Sequence, residues 1–348
     1  MLTTGYTPIF QVLKDSKDIT AQLQDRLVEV KTTQTETSEV GQVEFIFDDR
    51  DWALALPQIE DQITFLMGYK ETGLTSFGDF DIDEVHLFGP PRSIKVIAHA
   101  VSQSSTLRLR TIKSYSDTTV GAVINDIASQ AGITANIDPS IAAIKLPTFN
   151  QNNQSGFHII DQLARTYGGS AIYLNRRVTI VKRGQATTMS GGDAGQIYLT
   201  PEDFGEWDIW IQARAAYSGV QAAWFDKDNV VRKFEVAQTA PSRLSDFPLI
   251  GSEFSNPKAF HTLPGMFNTQ EQAQAAAQAQ LRLFEQLRAQ ATIALAKGDP
   301  TVRVHMGLNI SGMRSAIDGD YLIENVTHTY KKSTGIVTNI EARTLAAS

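Results

Sequence analysis

One change of hydrophobic period, inside the last seventy-odd residues from Asn268 to Thr344, constrains this chain more than any other feature. Asn268 and Thr269 offer side-chain oxygens, and Gln272 follows Thr269 by three residues, the spacing at which a capping box satisfies the free amides of a helix start. Apolar residues then recur at helical spacing at Ala273, Ala276, Ala277, Leu281, Phe284, Leu287 and Ala291, which predicts a helix over 269–290. At Ile293–Ala296 alternation replaces that period, and Gly298-Asp299-Pro300 stops the run. Two extended stretches follow, Tyr321–Tyr330 and Ile336–Thr344, joined by Lys331–Gly335. A helix handing the chain to a closing β-meander is an architectural device. No residue in it suggests catalysis.

The length of 348 residues suggests two or three domains. With 42% hydrophobic and 20% charged residues the chain can bury cores and is not of disordered composition. A formal charge of −7 argues against a nucleic-acid binder that relies on a basic face. Cysteine is absent, which excludes disulfides, thiolate catalysis and Cys-ligated zinc. No basic residue precedes Lys14 and no apolar run approaches bilayer length, so the expectation is a soluble protein made inside the cell, with no membrane partner.

From the N-terminus, Pro8–Leu13, Ile19–Lys31, Val43–Phe47, Ile63–Tyr69, Asp79–Val85 and Ser93–Val101 read as strands, with Gly73 and Gly78 bracketing a loop. They define a first β-barrel domain over 1–111. The next unit, 112–184, reads as an α+β module. Ser116, Asp117 and Thr118 are candidate caps before Val120–Ala128, Pro139–Gln154 is a polar connection, and Ser155 opens a second helix that Gly168 closes. A hairpin over Ser170–Lys182 completes it. Residues 185–195 form a linker of small and polar residues. Trp207–Ile211, Ser218–Phe225 and Val230–Val236, together with the terminal strands, define a second β-barrel domain over 185–236 and 291–348. A long loop with Pro241, Pro248, Pro257 and Pro264, then the capped helix, are inserted at 237–290. The fold class is α+β, mainly β.

The candidate chemistries are weak. Asp79, Asp81 and Asp83 share a strand face near His86, but same-face residues along a strand lie about 7 Å apart, too far to converge on one ion. None of the six histidines forms a metal-protease pair, Ser190–Gly195 lacks the ending of a phosphate cradle, and no nucleophile elbow is present. The expected catalytic, cofactor and metal residues are therefore none. Trp207, Trp210, Trp224 and Phe225 are expected in cores. The Ala-rich stripe of the helix fits either a partner helix or the chain's own β domain.

Three stretches together resemble one family. Phe80–Val85 followed by Gly89-Pro90-Pro91 and an Ile/Val/Ala strand, then Leu107–Gly132, Asn150–Gly168 and Ala171–Val181, then Ile317–Ile323 through Val326-Thr327-His328 to Glu341, are similar in order and spacing to the phage late control protein D family, the baseplate hub proteins of contractile tails. That family is related to the N-terminal hub part of type VI secretion spike proteins. The resemblance implies two tube-protein-like barrels per chain and a homotrimer that joins a sixfold tail tube to a threefold spike. The missing nucleophile, metal and phosphate motifs lead to the expectation of no enzyme activity and no cofactor, and the net charge to that of no sequence-specific nucleic acid. The implied partners are the central spike protein, the tail tube or tube-initiator protein, and the baseplate wedge and tape measure proteins, in a phage tail or headless bacteriocin-like particle. Because the sequence stops at Ser348 without needle repeats, an OB domain or a lysozyme domain, the spike is expected to be a separate chain. A β-rich hydrolase or carbohydrate-active protein is the alternative, and it would need a convergent titratable pair. A secreted effector or adhesin would want export or repeat signals.

Overall fold

The computed structural model describes residues 6–36, 41–100, 105–174, 177–182, 195–211, 217–226, 231–238, 259–286, 289–315 and 317–344. The N-terminal strands are β1 (Pro8–Lys14), β2 (Lys17–Asp18), β3 (Leu27–Thr35), β4 (Gln42–Asp48), β5 (Gln62–Tyr69), β6 (Gly73–Phe88) and β7 (Ser93–Ala100). A one-turn helix, α1 (Thr20–Leu23), interrupts the extended run expected between Ile19 and Lys31, because Asp18 and Thr20 turn their oxygens onto backbone amides there. Gly73 and Gly78 do not bracket a loop. Both belong to the sixteen-residue β6, which bulges at Phe77, opposite Phe65 and Leu66 of β5, and again at Asp83, between Ile82 and Glu84, opposite β7. Alternation puts Val43, Phe45 and Phe47 of β4 and Ile63, Phe65 and Met67 of β5 into one core.

The middle module begins with α2 (Ser105–Arg108) and β8 (Arg110–Thr119), followed by α3 (Val120–Gln130), β9 (Thr134–Ile137) and α4 (Pro139–Ala142). It continues with β10 (Lys145–Ser155), α5 (Gly156–Thr166), β11 (Gly169–Leu174) and β12 (Arg177–Lys182). The cap of α3 is Thr119, whose hydroxyl accepts from the Ala122 amide; Ser116, Asp117 and Thr118 are still strand. Pro139–Gln154 is no loose connection: β10 pairs antiparallel with β8 in a two-stranded ribbon. Ser155 caps α5 as expected, by accepting from the His158 amide, and β11 and β12 form the expected hairpin. A separate core of α3, α5 and β12 residues holds the module together.

The last part contains β13 (Gln196–Leu199), a 3₁₀ turn (Pro201–Asp203), β14 (Phe204–Ile211), β15 (Tyr217–Asp226), β16 (Val231–Gln238) and β17 (Ala259–Thr262). After α6 (Gln270–Gln286) come β18 (Ala289–Leu295), β19 (Gly307–Ile310), β20 (Gly319–Lys331) and β21 (Gly335–Thr344). The cap at the start of α6 is formed by half of the expected box: Thr269 Oγ1 accepts from the Gln272 amide, while Gln272 Oε1 accepts from the amide of Asn268, one residue before the cap. The Ala-rich stripe resolves toward the chain itself, since Ala273 and Ala277 pack on Val220 and Ala222 of β15. β15, β16 and β17 form a small sheet of their own, apart from the strands on either side of them in sequence. Most of the expected 237–267 loop and of the 185–195 linker lies outside the described residues.

The two expected barrels are corrected in two respects. β15 and β16 leave the second one for the small sheet, and the other strands of both join edge to edge in a single thirteen-stranded sheet, ordered β14-β18-β21-β20-β3-β4-β7-β6-β5-β1-β2 with β19 on β20 and β13 on β19; no closed barrel forms among the described residues. The seam is the antiparallel pair β20–β3, from Asn325↔Thr35 to Lys331↔Glu29. The reason lies in β20, whose thirteen residues outlast one core. Tyr321, Ile323 and Val326 fill the C-terminal core, whereas Tyr330, with Ile336 of β21, fills the N-terminal one against Phe10. Outward from the seam, the neighbours β3-β4-β7-β6 are matched by β20-β21-β18-β14, all antiparallel. Matched outward in this way, their chain order is circularly permuted.

Candidate functional site

The acidic strand is a good place to look for metal chemistry, and the geometry removes it. Asp79 accepts from the Thr64 hydroxyl at 2.6 Å, Asp83 lies 3.7 Å from His99, and Glu84 is paired with His86 at 2.8 Å. The bulge at Ile82/Glu84 breaks the shared face, and the groups look outward in separate pairs. Among the described residues no three potential ligands gather. His158 is in α5, His261 is in β17, and His305 and His328 are buried. Most of Ser190–Gly195 lies outside the described residues.

A cleft of about 660 Å³ opens where the two halves meet, lined by Tyr69, Gly73, Tyr198, Glu202, Lys297 and Asp299 among others. Several of its polar groups are committed to structure. Asp203 closes a capping box with Thr200, and the Tyr69 hydroxyl donates to the Gly298 carbonyl at 2.8 Å. Lys297 Nζ sits 3.1 Å from the centroid of the Tyr6 ring. Beneath the cleft, the Arg303 guanidinium lies 4.4 Å from the Phe77 ring centre and donates to the carbonyls of Pro300, Val302 and Ser76. Burial lowers it to about 10. His328 completes this joint between the halves. Its Nε2 donates to the Val302 carbonyl at 3.1 Å and its Nδ1 accepts from Thr338 at 2.9 Å, while Thr338 accepts from the Asp299 amide. Burial, then the nearby Arg303 charge, lower it to about 4. The residues are arranged to hold two cores together rather than to move a proton at a substrate.

The surface carries more information. β14 is an end strand of the large sheet, and no described strand pairs with its second edge. By register, Trp207, Ile209 and Ile211 lie opposite the buried Ile293, Ala291 and Ala289, so they occupy core-side positions. Yet Trp207 is 49% and Ile211 41% exposed, and Trp210 on the opposite side is 38% exposed. The expectation of a core role for Trp207 and Trp210 is therefore corrected: at this sheet edge no described residue buries them. Trp224 is half-buried beside the α6 core and donates to Glu235, which agrees with that expectation for it. The sequence did contain a signal, since Trp207, Ile209, Trp210 and Ile211 put apolar groups on both faces of one short strand. An edge with unpaired amides and carbonyls and exposed large side chains is a ready surface for strand pairing with another chain.

The comparisons with known proteins agree in kind. The family model described as phage tail baseplate hub (GPD) matches residues 86–334. The chain is 29% identical to a probable baseplate hub protein of Escherichia phage P2, over 96% of this chain and 92% of that one. Among solved structures it resembles a tail protein from Neisseria meningitidis, with a TM-score of 0.67, 8% identity and 97% of each chain covered. It also resembles an E. coli component of the type VI secretion system, with a TM-score of 0.53 and 10% identity over 93% of this chain and 74% of that one. At such identities these two structures speak for the fold alone.

Proposed function

We infer the role of this chain from one premise: it belongs to the phage tail baseplate hub family. It is a structural component of a tail baseplate, like its relatives of that name. The finer reading is that three copies form a ring in a contractile tail, joining the sixfold tail tube to a separate threefold spike protein. Wedge and tape measure proteins would lie around it, and the chain itself would perform no catalysis. Synthesis would take place in the host cytoplasm, before assembly.

The match of the family model across most of the chain carries the reading. The sheet adds physical support. Each chain contributes two β halves, so three chains supply six, the number a tube of sixfold symmetry asks of its adaptor. A heterologous contact that closes by rotation uses an open edge without runaway growth. The β14 edge with Trp207, Trp210 and Ile211 is our candidate for that contact, in place of the Ala-rich stripe of α6, which packs within the chain. Counting copies in an intact particle, by imaging or by mass spectrometry of the whole assembly, tests the model. Three copies are expected, and six or one would exclude it.

A further inference from the structure

The seam between β20 and β3 is one half of a repeating pattern. In one direction across the large sheet, β14-β18-β21-β20 and β3-β4-β7-β6 take their strands in the same chain order: first, second, fourth, third. The irregularities agree as well. The leading strand of each set carries one extra residue, Gly205 in β14 and Val28 in β3. The trailing strand carries another against its neighbour in the set, Glu324 in β20 and Asp83 in β6. A bulge interrupts a ladder at one place, so these residues mark equivalent positions. In β20 the bulge also divides an edge: β19 pairs with 319–322 before it, and β3 pairs with 325–331 after it. The same edge of β6 divides at Asp83. There β5 pairs with 73–81, but no described strand takes that edge of 84–88. Leu87 and Phe88 are half-exposed on it.

We propose that residues 84–88 of β6 take the β14 edge of a second copy of this chain, antiparallel, repeating between copies the seam that β20 and β3 make within one. The inference rests on the reading above, that copies of the chain surround one axis, and it names the two edges and their register. With Asp83 equivalent to Glu324 and Gly205 to Val28, the internal register carries over. His328↔Thr32 becomes Leu87↔Ile209, Val326↔Gln34 becomes Val85↔Ile211, and Thr327↔Thr33 becomes His86↔Trp210. Val85 and Leu87 lie opposite the buried Val96 and Ile94 of β7, which puts them on the core side, where Ile209 and Ile211 stand on β14. Apolar groups thus meet on that side, and no like charges face each other across the joint. A slip of one residue would set Leu87 against Asp208 or Trp210 and turn one core face outward. The internal seam ends on the Glu29–Lys331 ion pair at 3.2 Å. The counterpart of Glu29 is the exposed Glu206, and the exposed Arg92 follows the end of β6, so opposite charges flank the new joint as well. Each copy offers one edge of each kind, and such a contact closes by rotation.

The chain has no cysteine, so paired thiols report the register directly. Residues directly opposite in an antiparallel pair lie about 4.5–5.5 Å apart at Cα, within disulfide reach. The full chain carrying Leu87→Cys and Ile209→Cys, assembled into particles and oxidised, should give a ladder of covalently joined copies that ends at a closed ring of three. Leu87→Cys with Trp207→Cys, displaced by two residues or about 7 Å along the strand, should stay unlinked. His86→Cys with Trp210→Cys, on the other side of the sheet, is a second in-register pair and decides if the first variant does not assemble. In-register links with a ladder that ends at another number would uphold the seam and overturn the three-copy reading. Three copies per particle with no link in either in-register pair, or links in the displaced pair instead, would overturn the seam and leave that reading standing.

Discussion

His328 shows how much one side chain can report about this fold. It sits where the two cores share β20, against the Phe77 ring at 5.2 Å, with both ring nitrogens engaged. Since the folded chain lowers it from 6.5 to about 4, the unfolded chain takes up the proton first as pH falls. Stability is thus lost from about pH 6.5 down to 4, by on the order of 3 kcal/mol. Denaturant unfolding should show that slope in the wild type. His328→Asn should be less stable at neutral pH but flatter across this window; an unchanged slope would refute the assignment. Gly298 makes a second, steric prediction. A β-carbon there would strike the Ile336 carbonyl, and both are backbone positions that cannot turn aside. Gly298→Ala should cost at least about 2 kcal/mol in the same experiment. Neither role was legible beforehand. Gly298 reads as a turn glycine and His328 as one more histidine near a strand, because what constrains them arrives from Phe77 and Ile336, far along the chain or across a hairpin.

Elements whose determinants are local were legible. The Thr269 cap of α6, the Ser155 cap and the β20–β21 hairpin all rest on residues within a few positions of one another. Thr269→Ala should remove the hydroxyl acceptor and destabilise the chain by about 1 kcal/mol, a loss that Thr269→Ser restores. Circular dichroism melts of the two variants check it, and equal loss in both would mean that the methyl group matters instead. What failed were strands disguised by polar residues. β10 runs through Asn150-Gln151-Asn152-Asn153-Gln154, which reads as a turn cluster, yet it pairs with β8 to its last residue, Ser155, with one bulge at Asn153. In an exposed two-stranded ribbon no face is buried enough to force alternation, so the hydrophobic period carries no signal.

At the scale of the molecule, the two β regions were legible along the chain, but not that they are one sheet. Residues some three hundred positions apart, Glu29 and Lys331, meet at the seam, and no local pattern encodes such a pairing. The same sheet explains why β14 is the strand left open. Among the described residues the N-terminal half continues past β6 into β5 and β1, whereas the C-terminal half ends at β14, with Trp207 and Ile211 on the core side yet exposed. If a second copy covers that edge, charge there should block assembly while sparing the fold, because side chains already exposed to water cost little to replace. Trp207→Glu combined with Ile211→Lys should therefore leave the thermal midpoint of the isolated chain within a few degrees of wild type. Particles produced with the double variant should lack the hub or fail to form. Full incorporation of the variant at wild-type copy number would show that this edge is not the contact. A collapsed midpoint would show instead that Trp207 is part of the fold, and Ile211→Lys alone would then carry the test.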